Sequence, residues 1–408
     1  MKWHAPSHSA NKTDEYLFHQ LIPYIGNKRK LLGLIEQAIT ATGITPDTHR
    51  FIDLFAGTGV VSRFARHRGY GVLCNDWEPY SETINRCYVE TAKAPHFFKT
   101  KSYNEVLNEL NQLPDYEGWV TTHLCPRNDD DFDTAHDRMF YMRKNGLRID
   151  AMREQIEAWD QKGNLTLPQK TALLAPLLYQ CCYNANTSGV FKGFHNGWGG
   201  NTSTALYRIK GDLSLRPALF LQNSRQSQVT RMDAAKLAPT LPHASFAYLD
   251  PPYNQHPYGA NYHVLNSVTL WDKPALSPQI EGRGSKAAIR QDWRTQRRSA
   301  YNYAQQAASA YQELLCSIGS EWIATSYSTD GTIPLKTLIE ANLAIGDVQV
   351  FTQAYKRYRV SSQRYSAKPL NVEFILLTHK GHKPSQTLDA LINEILQKEK
   401  AISTESAL

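Results

Sequence analysis

Apolar and polar positions follow three successive rhythms along this chain. From about residue 21 to 89, short apolar runs alternate with helical spacing, the pattern of α/β units. Phe51-Ile52-Asp53-Leu54-Phe55 predicts a strand and Ala56-Gly57-Thr58-Gly59 a turn, with Val60, Val61, Phe64 and Ala65 giving one face of a following helix. Residues 71–75 predict the next strand, closed by Asp76. Between about residues 93 and 227 the rhythm changes. Ile149, Met152, Ile156 and Trp159 form one helical stripe, residues 173–179 form another interrupted by Pro176, and acidic, Asn-rich and Gly-rich loops separate them. The α/β rhythm returns near Gln228. Strands at 246–249 and 322–325 flank a helix face made by Ala307, Tyr311, Leu314 and Leu315. Residues 348–351 and 372–377 lie too close for a crossover helix and predict an antiparallel pair. Leu388, Leu391, Ile392, Ile395 and Leu396 predict an amphipathic terminal helix.

Neither α/β segment supplies enough strands for a sheet alone, so the two are expected to associate as one α/β domain interrupted by a helical insertion. The boundaries read as 1–92 for its N-terminal half, 93–228 for the insertion, 229–380 for its C-terminal half, and 381–408 for a terminal helix and tail. Composition adds a little. The net charge of +7 suits a polyanionic partner. Six scattered cysteines without a Cys-x-x-Cys pair, and fourteen histidines without ligand spacing, predict no metal; Cys181 and Cys182 read as buried thiols. With no signal-like start and no 18-residue apolar run, the expectation is a cytoplasmic protein with no membrane segment.

Two motifs carry chemistry. The turn Asp53-Leu54-Phe55-Ala56-Gly57-Thr58-Gly59 lets backbone approach a ligand ahead of a helix N-terminus. It lacks the third glycine of the dinucleotide fingerprint, which disfavours a nicotinamide oxidoreductase. Asp76, after the second strand, is placed to accept the ribose hydroxyls of an adenosine-containing cofactor. The second motif is Asp250-Pro251-Pro252-Tyr253, directly after the strand at 246–249. Two prolines fix the backbone and remove its donors. The Asp250 carboxylate and Pro251 carbonyl remain as acceptors beside an aromatic ring, an arrangement suited to a planar amino group on a base.

These motifs and their order resemble the Dam-type family of adenine-N6 DNA methyltransferases, in the subgroup whose cofactor motifs precede the target-recognition insertion. The resemblance spans roughly residues 21–377. It implies a Rossmann-like methyltransferase fold, a mostly parallel sheet with an antiparallel last strand, and a helical insertion serving as the target-recognition domain. It further implies S-adenosylmethionine as cofactor, double-stranded DNA as partner, base flipping, and direct transfer of a methyl group to N6 of adenine. Pro23-Tyr24-Ile25-Gly26-Asn27-Lys28 resembles the family's N-terminal cofactor motif, which assigns Tyr24 and Lys28 to the cofactor, with Tyr24 where several relatives have Trp. Asp53, Phe55, Gly57, Gly59, Asp76, Asp233 and Asp250 complete the implied cofactor site, with Asp233 resembling the acid that faces the adenine amino group. Asp250, Pro251, Pro252 and Tyr253 are the implied catalytic residues, and Thr325-Ser326-Tyr327-Ser328 resembles a strand-end motif of the base pocket. A restriction-modification role would bring a cognate endonuclease acting on the same site without a stable complex, in the cytoplasm of a prokaryote or phage-infected cell.

Two basic, aromatic segments are candidates for DNA contact. One contains Arg283, Arg290, Arg294, Arg297 and Arg298; the other contains Lys356, Arg357 and Tyr358. The glycine-rich stretch 189–200, carrying Phe191, Phe194, His195 and Trp198, could wedge into a base stack or close over the cofactor pocket. Two alternative activities stay open on the residues alone: methylation of RNA adenine, and DNA binding without chemistry.

Overall fold

The computed structural model describes residues 12–133, 135–203, 205–276, 280, 286–356 and 370–405. The chain forms two compact units. The first comprises Met1–Asn27, Glu78–Asn223 and Tyr258–Arg297; the second comprises Lys28–Trp77, Ser224–Pro257 and Arg298–Leu408. Each has its own apolar core.

The second unit holds a seven-stranded sheet: β1 (Arg50–Asp53), β2 (Val72–Asn75), β3 (Gln228–Thr230), β4 (Ser245–Leu249), β5 (Trp322–Ser328), β6 (Gly346–Lys356) and β7 (Leu370–Lys380). Their order is β3-β2-β1-β4-β5-β7-β6. The first five run parallel, and β7 is inserted antiparallel to both β5 and β6. The expected parallel sheet with an antiparallel end is therefore present. Its central strands β2 and β4 are buried throughout, as a sheet covered on both faces requires.

The pleat divides the side chains between two faces. Ile52, Leu54, Ala247, Leu249 and Ile323 join a core with Ala307, Tyr311, Leu314 and Leu315 of the helix Ala304–Ser317. Leu391 and Ile395 of the terminal helix Leu388–Glu405 belong to the same core. On the other face Phe51 stacks on Phe246, ring centroids 5.4 Å apart, and on Tyr248. By alternation that face also carries Asp53 and, one step beyond β4, Asp250. The helix Val60–His67 departs partly from its expected stripe. Val60, Val61 and Ala65 are buried and Phe64 is half-buried, but Ser62, Arg63 and Arg66 are buried as well.

The first unit is helical. Ile149, Met152 and Ile156 of the helix Arg143–Gln161 meet Leu173, Leu174, Leu177 and Leu178 of the helix Leu167–Tyr183. Pro176 lies inside the latter and cannot donate to the carbonyl of Ala172, four residues earlier. Tyr103 supplies the missing donor, its Oη 2.7 Å from that carbonyl. The glycine-rich stretch runs against one expectation. Phe191 is 1% exposed in the core against Phe140, its N–H donates to Asn261 and its carbonyl accepts from His263. Phe194 also packs on Phe140, and Trp198 donates to the Asp129 carbonyl. The rings find apolar neighbours within the unit, so Phe191 is a packing residue and not a surface wedge.

Asp150 is a buried anchor in this unit. Its carboxylate accepts from the backbone N–H groups of Gly118, Val120 and Thr121 and from the Thr121 hydroxyl, at 2.7–3.1 Å, capping the helix Trp119–Leu124. Burial pushes its carboxyl up, and these four donors pull it back. Asp150→Ala is expected to strand several donors and cost about 3 kcal/mol, read as a lower urea midpoint for this unit.

Candidate active site

The carboxyl edge of β1, β2 and β4 assembles the site. After β1 the chain turns through Gly57 and Gly59, whose φ angles of 53° and 77° are the left-handed values that glycine accepts without strain. Gly59 stands at the N-cap of the helix Val60–His67. The Gly57 N–H donates to Asp76 Oδ2 at 2.7 Å, so the carboxylate after β2 fixes the turn after β1. Asn75, itself buried, ties three strand ends together. Its amide donates to the carbonyls of Leu54 and Met232 and accepts from the Thr230 hydroxyl and the Met232 N–H. Asp233 follows and caps the short helix Ala234–Leu237 through the Ala235 N–H. Phe55, half-buried, meets Tyr301 edge-on.

Asp53 points inward, 1% exposed, and accepts from the Ser62 hydroxyl at 2.7 Å. Burial raises its carboxyl to about 7, Ser62 draws it down, and repulsion from Asp250 and Asp76 adds to the rise. Asp53 thus lies within electrostatic reach of two further carboxylates at this edge.

Asp250-Pro251-Pro252-Tyr253 leaves β4 over the same edge. Asp250 Oδ1 lies 3.0 Å from Lys28 Nζ, and the lysine is 3% exposed at the head of the single turn Lys28–Leu31. Burial pushes the Asp250 carboxyl up to about 6 against the pull of Lys28, with Glu373 adding repulsion. Lys28 is drawn down by burial but held well above its ordinary value by Asp250, Tyr253 and Glu373. Its ammonium also lies 5.0 Å from the centre of the Tyr253 ring. The loop is pinned: the Tyr253 carbonyl accepts from the Thr332 N–H and hydroxyl, and the Asn254 carbonyl from Asn302. The Tyr253 ring meets Tyr327, and the Tyr327 hydroxyl accepts from the Ile333 N–H. Gly331 permits this, because a Cβ there would fall 2.0 Å from the Tyr327 ring. Thr325, Ser326, Tyr327 and Ser328 are all buried on β5.

The chain matches the D12 class N6 adenine-specific DNA methyltransferases over residues 24–292, and both motifs just described lie in that span. It belongs to this family. Relatives include the type II methyltransferase M.NlaIII of Neisseria lactamica, 30% identical over 92% of this chain and 99% of that protein. M.CviAII of Paramecium bursaria Chlorella virus 1 is 28% identical over 83% of this chain and 93% of its own length. Modification methylase LlaI of Lactococcus lactis subsp. lactis is 28% identical over 88% of this chain, which spans only 54% of that protein. No solved structure matches the chain. The protein is a site-specific DNA adenine methyltransferase, and the RNA and non-catalytic alternatives are not favoured.

The remaining sequence-derived residues fall in varied settings. Tyr24 belongs to the first unit, where its ring stacks on Tyr258 and Tyr262 and its hydroxyl shares a 2.8 Å hydrogen bond with Tyr80. Arg290 and Arg297 turn inward rather than outward. Arg290 grips Asp272 through two 2.7 Å hydrogen bonds and also meets Asp292, while Arg297 pairs with Asp292 and Glu78. With those charges matched inside the protein, the two arginines shape the segment and present no free guanidinium for phosphate. Arg294 and Arg298 are exposed, stacked on Trp293 and Tyr303 respectively. Lys356 ends β6, and Arg283, Arg357 and Tyr358 lie outside the described residues. Glu373 on β7 escaped the sequence reading. Its signal there is one acid inside the otherwise apolar run 372–377.

Among the described residues no helix is long and apolar enough to cross a membrane, and no His, Cys, Asp or Glu group is arranged to hold a metal. The raised Asp53 carboxyl carries a linkage. Its stabilising contribution is complete below the unfolded value of about 4 and is lost as pH rises through about 7. Asp53→Asn is therefore expected to gain melting temperature relative to wild type between pH 5 and pH 8, measured by calorimetry across that range.

Proposed function

We propose that the methyltransferase uses S-adenosylmethionine to methylate adenine flipped out of double-stranded DNA, with Asp250 as the group that receives the target amine. The observation that carries this reading is the Asp250 carboxylate, fixed beyond β4 by two prolines and a pinned loop, beside the glycine turn and Asp76.

The residues suit that cofactor. Asp76 and the backbone at Gly57 and Gly59 would hold its adenosine, Phe55 and Asp233 would flank its base, and the carboxylates Asp53 and Asp250 would balance a sulfonium charge. Tyr24 and Lys28 complete the proposed set. When bound, S-adenosylmethionine supplies an electrophilic methyl group. The protein supplies acceptors and alignment. Asp250 and the Pro251 carbonyl accept the two amino hydrogens of the extruded adenine, Pro252 stiffens the turn, and Tyr253 offers a stacking face. Drawing those hydrogens toward oxygen concentrates the lone pair on N6, the nucleophile. Extrusion costs a few kcal/mol, roughly, which these contacts offset. Holding the amine in line supplies much of the acceleration.

For the duplex, we assign phosphate contacts to Arg294, Arg298, Lys356, Arg357 and Tyr358, with residues 93–228 as the target-recognition segment. The relatives' names as type II methyltransferases support a role in restriction-modification; to this reading belong a cognate endonuclease acting on the same site and a cytoplasmic location.

Unmethylated genomic DNA incubated with the enzyme and S-adenosylmethionine, then digested to nucleosides, should yield N6-methyladenine by mass spectrometry. Asp250→Ala should yield none; product from that variant would refute the assignment of Asp250. Asp76→Ala should weaken S-adenosylmethionine binding by about tenfold or more in calorimetric titration, the loss of roughly two hydrogen bonds.

A further inference from the structure

Glu373 stands where an apolar residue would serve the core better. It lies in β7 between Val372 and Phe374, is 6% exposed, and its Oε2 has no hydrogen-bond partner among the described residues. A buried carboxylate of this kind costs stability unless a charge answers it. The answering charge is Lys28, whose Nζ lies 3.6 Å from Glu373 Oε2 and 3.0 Å from Asp250 Oδ1. The sheet creates this arrangement. Antiparallel pairing sets Glu373 opposite Ser328 of β5, and parallel pairing sets Leu249 of β4 opposite Thr325 of β5. The pleat then puts Asp250 and Glu373 on one face at the same edge, under one ammonium.

We propose that Glu373 is a positioning residue for methyl transfer, sharing Lys28 with Asp250 and providing the ammonium's alternative partner when Asp250 turns to the substrate amine. The proposal rests on the role assigned above to Asp250. An Asp250 that kept Lys28 to itself would be a weaker acceptor, because an ammonium at hydrogen-bond distance withdraws the electron density that the amine needs. With a second carboxylate at hand, Lys28 moves over by less than the width of an atom and no buried charge is stranded. Lys28 has three N–H donors, enough to serve both carboxylates in turn.

A pH profile reads this directly. Asp250 is faced by Lys28 from the turn 28–31, Glu373 from β7, Tyr248 from β4, Tyr253 from its own loop, Tyr327 from β5 and Asp53 from β1. Burial raises all three phenols, which stay neutral across the assay range. Asp53, raised to about 7, is repelled by Asp250 and is present in wild type and Glu373→Gln alike, so the effect of Glu373 is read as the difference between their two profiles. Removing the Glu373 charge leaves Lys28 to Asp250 alone and lowers the Asp250 pKa.

The experiment is kcat against pH from 5 to 9 for wild type, Glu373→Gln and Asp250→Asn, with S-adenosylmethionine and DNA saturating and folding checked by thermal melting. Glu373→Gln should lower plateau kcat by about tenfold, shift the acid limb down by about one pH unit, and leave both KM values within about threefold. Asp250→Asn should be inactive. A Glu373→Gln enzyme with wild-type kcat, or with lower kcat and an unmoved limb, overturns the positioning role while an inactive Asp250→Asn leaves Asp250 in place. An active Asp250→Asn overturns the underlying assignment. If Glu373→Gln does not fold, Glu373→Asp draws the charge back by one methylene; a smaller downward shift supports the proposal and an unmoved limb overturns it. In a Lys28→Met background Glu373→Gln should cost nothing further, whereas additive losses overturn the coupling.

Discussion

Carboxylates crowd the edge of this sheet, and the Lys28 ammonium lies against two of them, Asp250 and Glu373. Asp53, Asp76, Asp250 and Glu373 are brought within electrostatic reach by strand endings and pleat, with no metal site to balance them among the described residues. Desolvation penalises the charges of Asp53 and Asp250, and repulsion from neighbouring carboxylates adds to it. The surrounding structure answers with fixed donors: the Ser62 hydroxyl on Asp53, the Gly57 N–H on Asp76, and the Lys28 ammonium between Asp250 and Glu373. That arrangement suits the cationic methyl donor proposed above. The loops nearby are pinned by Asn75, Thr332 and Asn302.

Much of the fold was legible because buried strands and helices carry their own periodicities. The runs around 51–54, 72–75, 246–249 and 322–325 became β1, β2, β4 and β5, and the closely spaced last two runs became the antiparallel pair. The three-residue β3 was not legible. Gln228-Val229-Thr230 is too short to show alternation, and it exists as a strand because β2 offers it an edge. Phe191 misled for a related reason. Glycine-rich sequence reports backbone freedom, but the burial of a ring within it depends on Phe140, about fifty positions earlier in the chain.

The site divides in the same manner. Asp53, the glycine turn, Asp76 and the Asp-Pro-Pro-Tyr segment announce themselves because proline and glycine restrict local backbone and sit at strand ends. What sequence could not convey was pairing. The basic run from Arg290 to Arg298 looked like one uniform positive surface, yet Asp272, Asp292 and Glu78 neutralise two of its arginines and leave Arg294 and Arg298 exposed. Glu373 shows the converse. A lone acid in an apolar strand looks like noise until β7 is docked between β5 and β6 and the carboxylate arrives beside Lys28.

The sheet draws its strands from three separate stretches of chain, and the strand carrying Glu373 comes last in sequence although it lies inside the sheet. A nascent chain lacking β7 leaves β5 with an open edge and β6 with no neighbour to pair with. The catalytic edge is thus tied to a contact of very long sequence separation, since β7 brings Glu373 to Lys28 across more than three hundred positions.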